Sequence, residues 1–431
     1  MNKKNIIAYV ANIPHGTIEN IRKYEKAEKK KFRIMLIADA RSREKKTLAD
    51  YPDLDILVAT DFSQPSKIAT TLLPYQDELL AITCRGDNNI GQFAKVVPHV
   101  PYLRTPTSES LLWAIDKYEM RKRFKLYDPK CTPLFTKVFE NSKAERARVA
   151  EKIGFPMIVK PANLGASLFV AICYHSEDLE KTLSTIFRKI KKAYENDKRT
   201  EQPTIIAEEF MDGDMYSIDS YVNSRGEVYH CPLVRVKTGR NIGHDDFYGY
   251  LQLTPTAFKR STVEKAEEVA TTAIRALGLR STTTHTELMK IDDEWKVIEL
   301  GPRMGGFRDV LHNLSCDINH TMNDILIRIP QKPHIPKKCK GYSAVIKWFS
   351  GKEGTIIEMK GIKKIESLES FHSMTVNKKI GDRAVFAKNG GRSIFNLFLY
   401  NADRSKLLAD IRRVEQMVKI KVKARATPQA K

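Results

Sequence analysis

The stretch from Thr284 to Arg303, Thr-His-Thr-Glu-Leu-Met-Lys-Ile-Asp-Asp-Glu-Trp-Lys-Val-Ile-Glu-Leu-Gly-Pro-Arg, constrains this chain more than any other. Two apolar-rich segments flank Asp292-Asp293-Glu294, which is the pattern of an antiparallel hairpin. A turn centred on Asp293 sets Glu287 opposite Glu299. Strand periodicity then puts Met289, Ile291, Trp295 and Val297 on the face of those two acids. Such a face asks for burial, yet facing carboxylates destabilise a sheet and bare buried charges are prohibitive. The pattern therefore calls for a cation. Arg303 follows behind Gly301-Pro302, and two acids with a guanidinium suit a divalent metal and phosphate oxygens. Alone, the hairpin also fits acids left in water or paired with lysines; the upstream sequence decides.

At 431 residues the chain has room for roughly two to four domains. No apolar run is long enough to span a bilayer, and Met-Asn-Lys-Lys leads into a strand rather than a signal peptide. Cys84, Cys131, Cys173, Cys231, Cys316 and Cys339 show no CxxC spacing and read as reduced thiols of a cytoplasmic protein. The net charge of +21 permits nucleic acid or an acidic substrate as partner. The basic residues are spread out, as in Lys26–Lys31, Arg188–Lys192 and Lys419–Lys423, without interleaved aromatics. They read as solvated faces.

Along residues 5–105, short apolar runs alternate with polar helical stretches, the cadence of a small parallel α/β domain. The turn after the first run, Asn12-Ile13-Pro14-His15-Gly16, lacks the G-x-G-x-x-G of a dinucleotide site. A proline-rich linker precedes one predicted helix, Ser108–Leu126, which carries Lys117. A strand then ends in Lys160-Pro161 before the small-residue loop Gly165-Ala166-Ser167. A lysine beside such a loop can meet phosphate with its ammonium and the loop N–H groups, although a hairpin with a surface lysine fits too. After a basic amphipathic helix over Ser176–Asn196, a strand runs into the turn Glu208-Glu209-Phe210-Met211. The loop Lys237–Asp246 reads as a substrate loop or a plain connection. Helical spacing marks Ser261–Leu277 and Ile318–Ile329; a third α+β module with a fraying tail from Ala424 completes the chain.

Taken in order, Lys117, Lys160, the Glu208–Met211 turn, Glu287, Glu299 and Arg303 resemble the ATP-grasp superfamily, specifically its carboxylate–amine ligase branch, which includes bacterial L-amino-acid (dipeptide) ligases. The resemblance covers nearly the whole chain. It implies an α/β and α+β architecture with an N-terminal parallel α/β domain over residues 1–106 and an ATP-grasp module over 107–335. The ATP-binding part would take residues 126–215, and a small α+β domain residues 336–431. It further implies that Lys117 and Lys160 contact ATP phosphates, Ser167 and its loop cover them, and Glu208, Phe210 and Met211 hold the adenine. Glu287 and Glu299 would bind Mg²⁺ or Mn²⁺, with Arg303 and Lys160 acting in catalysis. His244, Asp246 and Arg308 are candidate substrate contacts.

Three departures accompany it. Met215 stands where relatives often have an acidic ribose contact, leaving Asp214 or Asp219 for that role. Gly301 replaces an asparagine ligand, and the phosphate loop has one glycine. The implied reaction joins a small-molecule carboxylate and amine, on amino acids or small peptides, in a monomer or homodimer. The alternatives are a purine-biosynthesis-type ligase, a biotin-dependent carboxylase, and a non-catalytic basic nucleic-acid-binding protein on the same shell.

Overall fold

Apolar runs that do not alternate, such as Ile6–Val10, must be covered on both faces. The computed structural model, which describes residues 4–42, 46–165, 168–196, 202–244 and 246–423, places that run inside a four-stranded parallel sheet. The strand order is Ile56–Thr60, Arg33–Asp39, Ile6–Val10, Leu79–Thr83. Ile6, Ala8 and Val10 pack beneath Phe93 on one face. Ile7 and Tyr9 on the other meet Met322 and Ile325, from a helix far along the chain.

The single helix expected over Ser108–Leu126 is two, Ser108–Ile115 and Lys117–Tyr127. The break is chemical. The Asp116 carboxylate accepts from the backbone N–H groups of Tyr118 and Glu119 at 2.8 and 3.1 Å, capping a new helix that starts at Lys117. Next comes a four-stranded antiparallel sheet in the order Phe135–Val138, Ile205–Glu209, Met157–Pro161, Ala171–Cys173. Leu179, Leu183 and Ile186 of the long helix Ser176–Asn196 lie in its hydrophobic core. The expected amphipathic helix is therefore an inward-facing one.

A third, nine-stranded sheet carries the hairpin, whose strands are Thr282–Ile291 and Glu294–Gly301. Glu287 does face Glu299, but the turn is tighter than expected, with Ile291 paired to Glu294. A bulge at Ile298 absorbs the one-residue difference, since Leu288, not Met289, opposes Val297. A single-residue slip reverses the faces of a strand. Hence Trp295 and Val297, expected beside the acids, are buried instead with Leu288, Leu300 and Ala270 of the helix Arg260–Ala276. Met289 stays on the acids' side.

The same sheet continues through Gly249–Thr254 into Tyr342–Trp348 and Phe395–Asn401, so the boundary expected near residue 335 is crossed by strand pairing. Lys419–Lys423 is a strand and not merely a solvated run, for Ile420 and Val422 turn inward between exposed lysines. The tail from Ala424 lies outside the described residues. The thiol expectation needs one correction: Cys316 and Cys339, 23 residues apart, form a disulfide. Cys316 ends the helix Arg308–Cys316, and no spacing rule points from there to a linker cysteine. Among the described residues, no helix is long and apolar enough to cross a membrane.

Candidate active site

A cavity of about 700 Å³ opens between the four-stranded sheet, the hairpin and the loop containing Asp87. Its wall includes Lys117, Lys160, Glu208, Phe210, Met211, Glu287, Glu299, Arg303 and Arg308, so the structure brings together residues spread over most of the chain. Ser167 and Ala166 lie outside the described residues.

The lysines are held by different means. At the first position of its helix, Lys117 gives its backbone N–H to Ala162 O (2.9 Å). Its Nζ reaches Leu164 O at 3.0 Å and Glu299 Oε1 at 3.1 Å. Lys160, at a strand end, is buried with its ammonium 2.7 Å from Glu208 Oε2. Burial drives the Lys160 pKa down, with the neighbouring carboxylate opposing.

Glu208 has different partners from those expected. Its carboxylate is buried in the fork of Arg121, at 2.7 Å to Nε and 3.2 Å to Nη2, with Lys160 on the other side. Burial pushes its pKa up, but Arg121 and Lys160 outweigh that and hold it at about 2. Arg121 also donates to the carbonyls of Val297 and Ile298 at 2.9 and 2.6 Å. Those carbonyls stand at the bulge, so one guanidinium ties the lysine-bearing sheet to the acid-bearing hairpin. The sequence reading missed Arg121, which looks like any other basic residue of a charged helix.

Both hairpin acids are about a third exposed, facing the cavity, and so are less buried than their strand pattern implied. Glu299 meets Lys117, whereas Glu287 Oε1 lies 3.5 Å from His285 Nε2. Behind it, His285 Nδ1 is 2.6 Å from Asp219 Oδ1, and Asp219 Oδ2 accepts the Gly305 N–H at 2.8 Å. Burial lowers the His285 pKa, but Asp219 more than reverses this and the net shift is upward. Asp219 is thus withdrawn from any ribose role, being fully buried and committed to His285 and Gly305. Asp214 is exposed and pairs with Arg235 at 3.3 Å, while Met215 lines the cavity.

Arg303 forms an ion pair with Asp87, delivered by the loop after the parallel sheet. A Cβ on Gly301 would sit 3.3 Å from Arg303 Cζ and 3.5 Å from Asp87 Oδ1. The missing side chain at 301 leaves the space that this pair fills.

Of the three substrate candidates, only Arg308 reaches the cavity. It is buried, with Nη2 on Ser217 Oγ at 2.7 Å and an Nε without a hydrogen-bond partner among the described residues. His244 instead lines a separate crevice beside Trp348 and Phe349 and bonds Tyr248 OH at 2.9 Å. Asp246 is 1% exposed and clasps the Lys388 N–H at 3.2 Å, so it anchors a loop. Both loop residues fold inward against the C-terminal strands, a packing their local sequence does not encode.

Gly305 has a packing reason to be glycine. A Cβ there would stand 2.4 Å from His285 Nδ1 and 2.8 Å from Arg308 Cγ. Gly305→Ala is therefore expected to displace both side chains, costing about 1–3 kcal/mol of stability and tenfold or more in turnover. Thermal melts and steady-state ATP turnover check this, and a variant indistinguishable from the parent on both would show the seat is loose.

The donor set fits a divalent cation. Two carboxylates in register open into one cavity, each only partly neutralised, and hard oxygen ligands of this kind select Mg²⁺ or Mn²⁺.

Residues 153–310 match the ATP-grasp domain family. Alanine–anticapsin ligase of Bacillus subtilis strain 168 is 26% identical over 305 residues, 66% of this chain. The chain spans only 62% of the length of that relative. An L-amino acid ligase from Bacillus licheniformis superposes with a TM-score of 0.75 at 16% identity, covering 98% of this chain and 100% of that one. Phosphoribosylglycinamide synthetase from Anaerococcus prevotii follows the same path, with a TM-score of 0.65 at 18% identity over 98% and 100% of the two chains. The chain carries an ATP-grasp domain and has the ATP-grasp fold along nearly its whole length.

Proposed function

We propose that this protein is an ATP-dependent carboxylate–amine ligase acting on amino acids or small peptides. One observation carries the reading: Glu287 faces Glu299 in a cavity also walled by Lys117, Lys160 and Arg303. Phosphoryl transfer depends mostly on positioning and on positive charge around the phosphate oxygens, and this cavity collects both. Similarity to proteins named as amino-acid ligases supports the substrate class.

In this reading Phe210 and Met211 flank the adenine, and Lys117 and Lys160 hold phosphate oxygens. Glu208 acts as a positioning residue for Lys160. Glu287 and Glu299 hold Mg²⁺, which when bound draws negative charge off the triphosphate. A substrate carboxylate oxygen attacks the γ-phosphorus; a P–O bond forms, the bond to ADP breaks, and an acyl-phosphate results. An amine nitrogen then attacks the acyl carbon, the C–O bond to phosphate breaks, and the nitrogen releases a proton. Arg303 faces the charge on the leaving phosphate. To do so it must exchange Asp87 for the anion. Arg308, which lines the cavity with its Nε turned to Asp219 at 3.9 Å, adds positive charge on the side where a substrate carboxylate would sit.

The test is a phosphate-release screen of amino-acid pairs with Mg-ATP, followed by mass spectrometry of products. Amide products that appear only with both substrates are expected. Turnover that requires a ribotide amine, or bicarbonate with biotin, would move the protein to another ATP-grasp reaction. Salt-dependent RNA binding without ATP binding would remove it from catalysis altogether.

A further inference from the structure

We propose that Cys231, His312 and His320 form a binding site for a zinc-type ion, separate from the Mg²⁺ pair. Cys231 follows the strand Val228–His230; His312 lies in the helix Arg308–Cys316 and His320 opens the helix His320–Leu326. The chain thus brings three ligand-type side chains from three elements to one buried point. One ligating atom from each lies within 4.8 Å of the others, and the residues are 2%, 0% and 1% exposed.

The orientation of the rings adds to this. His312 Nε2 meets Pro232 O at 3.1 Å, and a carbonyl can only accept, so this nitrogen carries the proton. The Nδ1 lone pair of His312 therefore points inward. His320 Nδ1 is 2.6 Å from Tyr221 OH, and its inner Nε2 is 2.7 Å from His312 Nδ1. An outer nitrogen tied to oxygen, as on both rings, is how metal-binding histidines are held, while the inner nitrogens face each other and Cys231 bonds the Tyr221 hydroxyl.

A thiolate and two imidazoles favour zinc or copper over Mg²⁺, which keeps the two sites chemically distinct. Binding would convert the Cys231 thiol to thiolate, releasing one proton to solvent. His320 would change tautomer, its one ring proton moving from Nε2 to Nδ1, where it donates to the Tyr221 hydroxyl oxygen, so that both His320 and Tyr221 stay neutral. Asp219 acts electrostatically on both histidines, and the thiolate offsets one of the two charges of a divalent ion. An ion here would fasten the helix that carries Arg308 to the end of the strand Val228–His230, where the Cys231 N–H bonds Asp219 O at 2.8 Å.

The experiment uses the full chain, purified without chelators or metal-affinity steps, loaded with Zn²⁺ and dialysed against excess Mg²⁺. Elemental analysis should find about one zinc per chain, falling at least tenfold in Cys231→Ser and His320→Asn. In case those variants fold poorly, Co²⁺ is added to the unaltered protein, where a thiolate-to-cobalt charge-transfer band is expected. Zinc content in the unaltered protein no higher than in Cys231→Ser, or Co²⁺ without that band, overturns the site and leaves a hydrogen-bonded Cys–Tyr–His–His chain. The readouts do not depend on ligase activity, so the site and the proposed reaction fail separately.

Discussion

Glu287→Gln is expected to lower amine-dependent ADP release by about 10²–10³-fold or more while lowering the melting temperature only slightly. The two halves of that result have one cause. Glu287 faces Glu299 in register and pairs with His285 at 3.5 Å. Burial raises the Glu287 pKa, but His285, Arg303 and Arg308 outweigh it and hold the carboxyl below its ordinary value, so losing the charge costs some stability while the divalent ion loses a ligand. Arg303→Ala should show a comparable loss of turnover. Steady-state ADP release and thermal melts on the same preparations check both. Turnover within twofold of the parent in folded Glu287→Gln would falsify the metal assignment.

Glu208→Gln is expected to cost about 3–5 kcal/mol of stability, because it strands the buried charges of Arg121 and Lys160. The pH dependence follows from linkage. The folded pKa is about 2, below the ordinary carboxylate value of 4.5. The unfolded chain therefore binds the proton more readily, and the stabilisation is fully present above about pH 4.5. It fades as pH falls toward 2, amounting to about 3 kcal/mol. Urea midpoints taken from pH 7 down to 3 should drop more steeply in the parent than in Glu208→Gln. Parallel curves would mean that the carboxylate is not held by its neighbours as described.

Much of this site could be read in the sequence because its parts obey local rules. Strand alternation around a short polar turn brings Glu287 and Glu299 near one another, and the bulge at Ile298 sets them opposite. A strand ending at Lys160 needs only an apolar run and a following Pro161. What could not be read were partners made by distant chain segments. Arg121 and Glu208 are 87 residues apart, Asp219 and His285 are 66, and Arg303 meets Asp87 across 216. Nothing in the neighbourhood of any one of them names the other. The bulge at Ile298 was hidden for a different reason. Its extra residue is stabilised by Arg121 on its carbonyls, and it alone decides which way Trp295 and Val297 point.

The pairing of Tyr342–Trp348 with Gly249–Thr254 limits how the protein can be shortened. A fragment stopped near residue 335 would keep every acid, lysine and arginine of the proposed site except its C-terminal wall. It would also strip the neighbour from Gly249–Thr254 and turn an interior ladder into a raw edge, where unsatisfied amides and carbonyls recruit other chains. Such a truncation should precipitate or self-associate rather than yield a minimal enzyme.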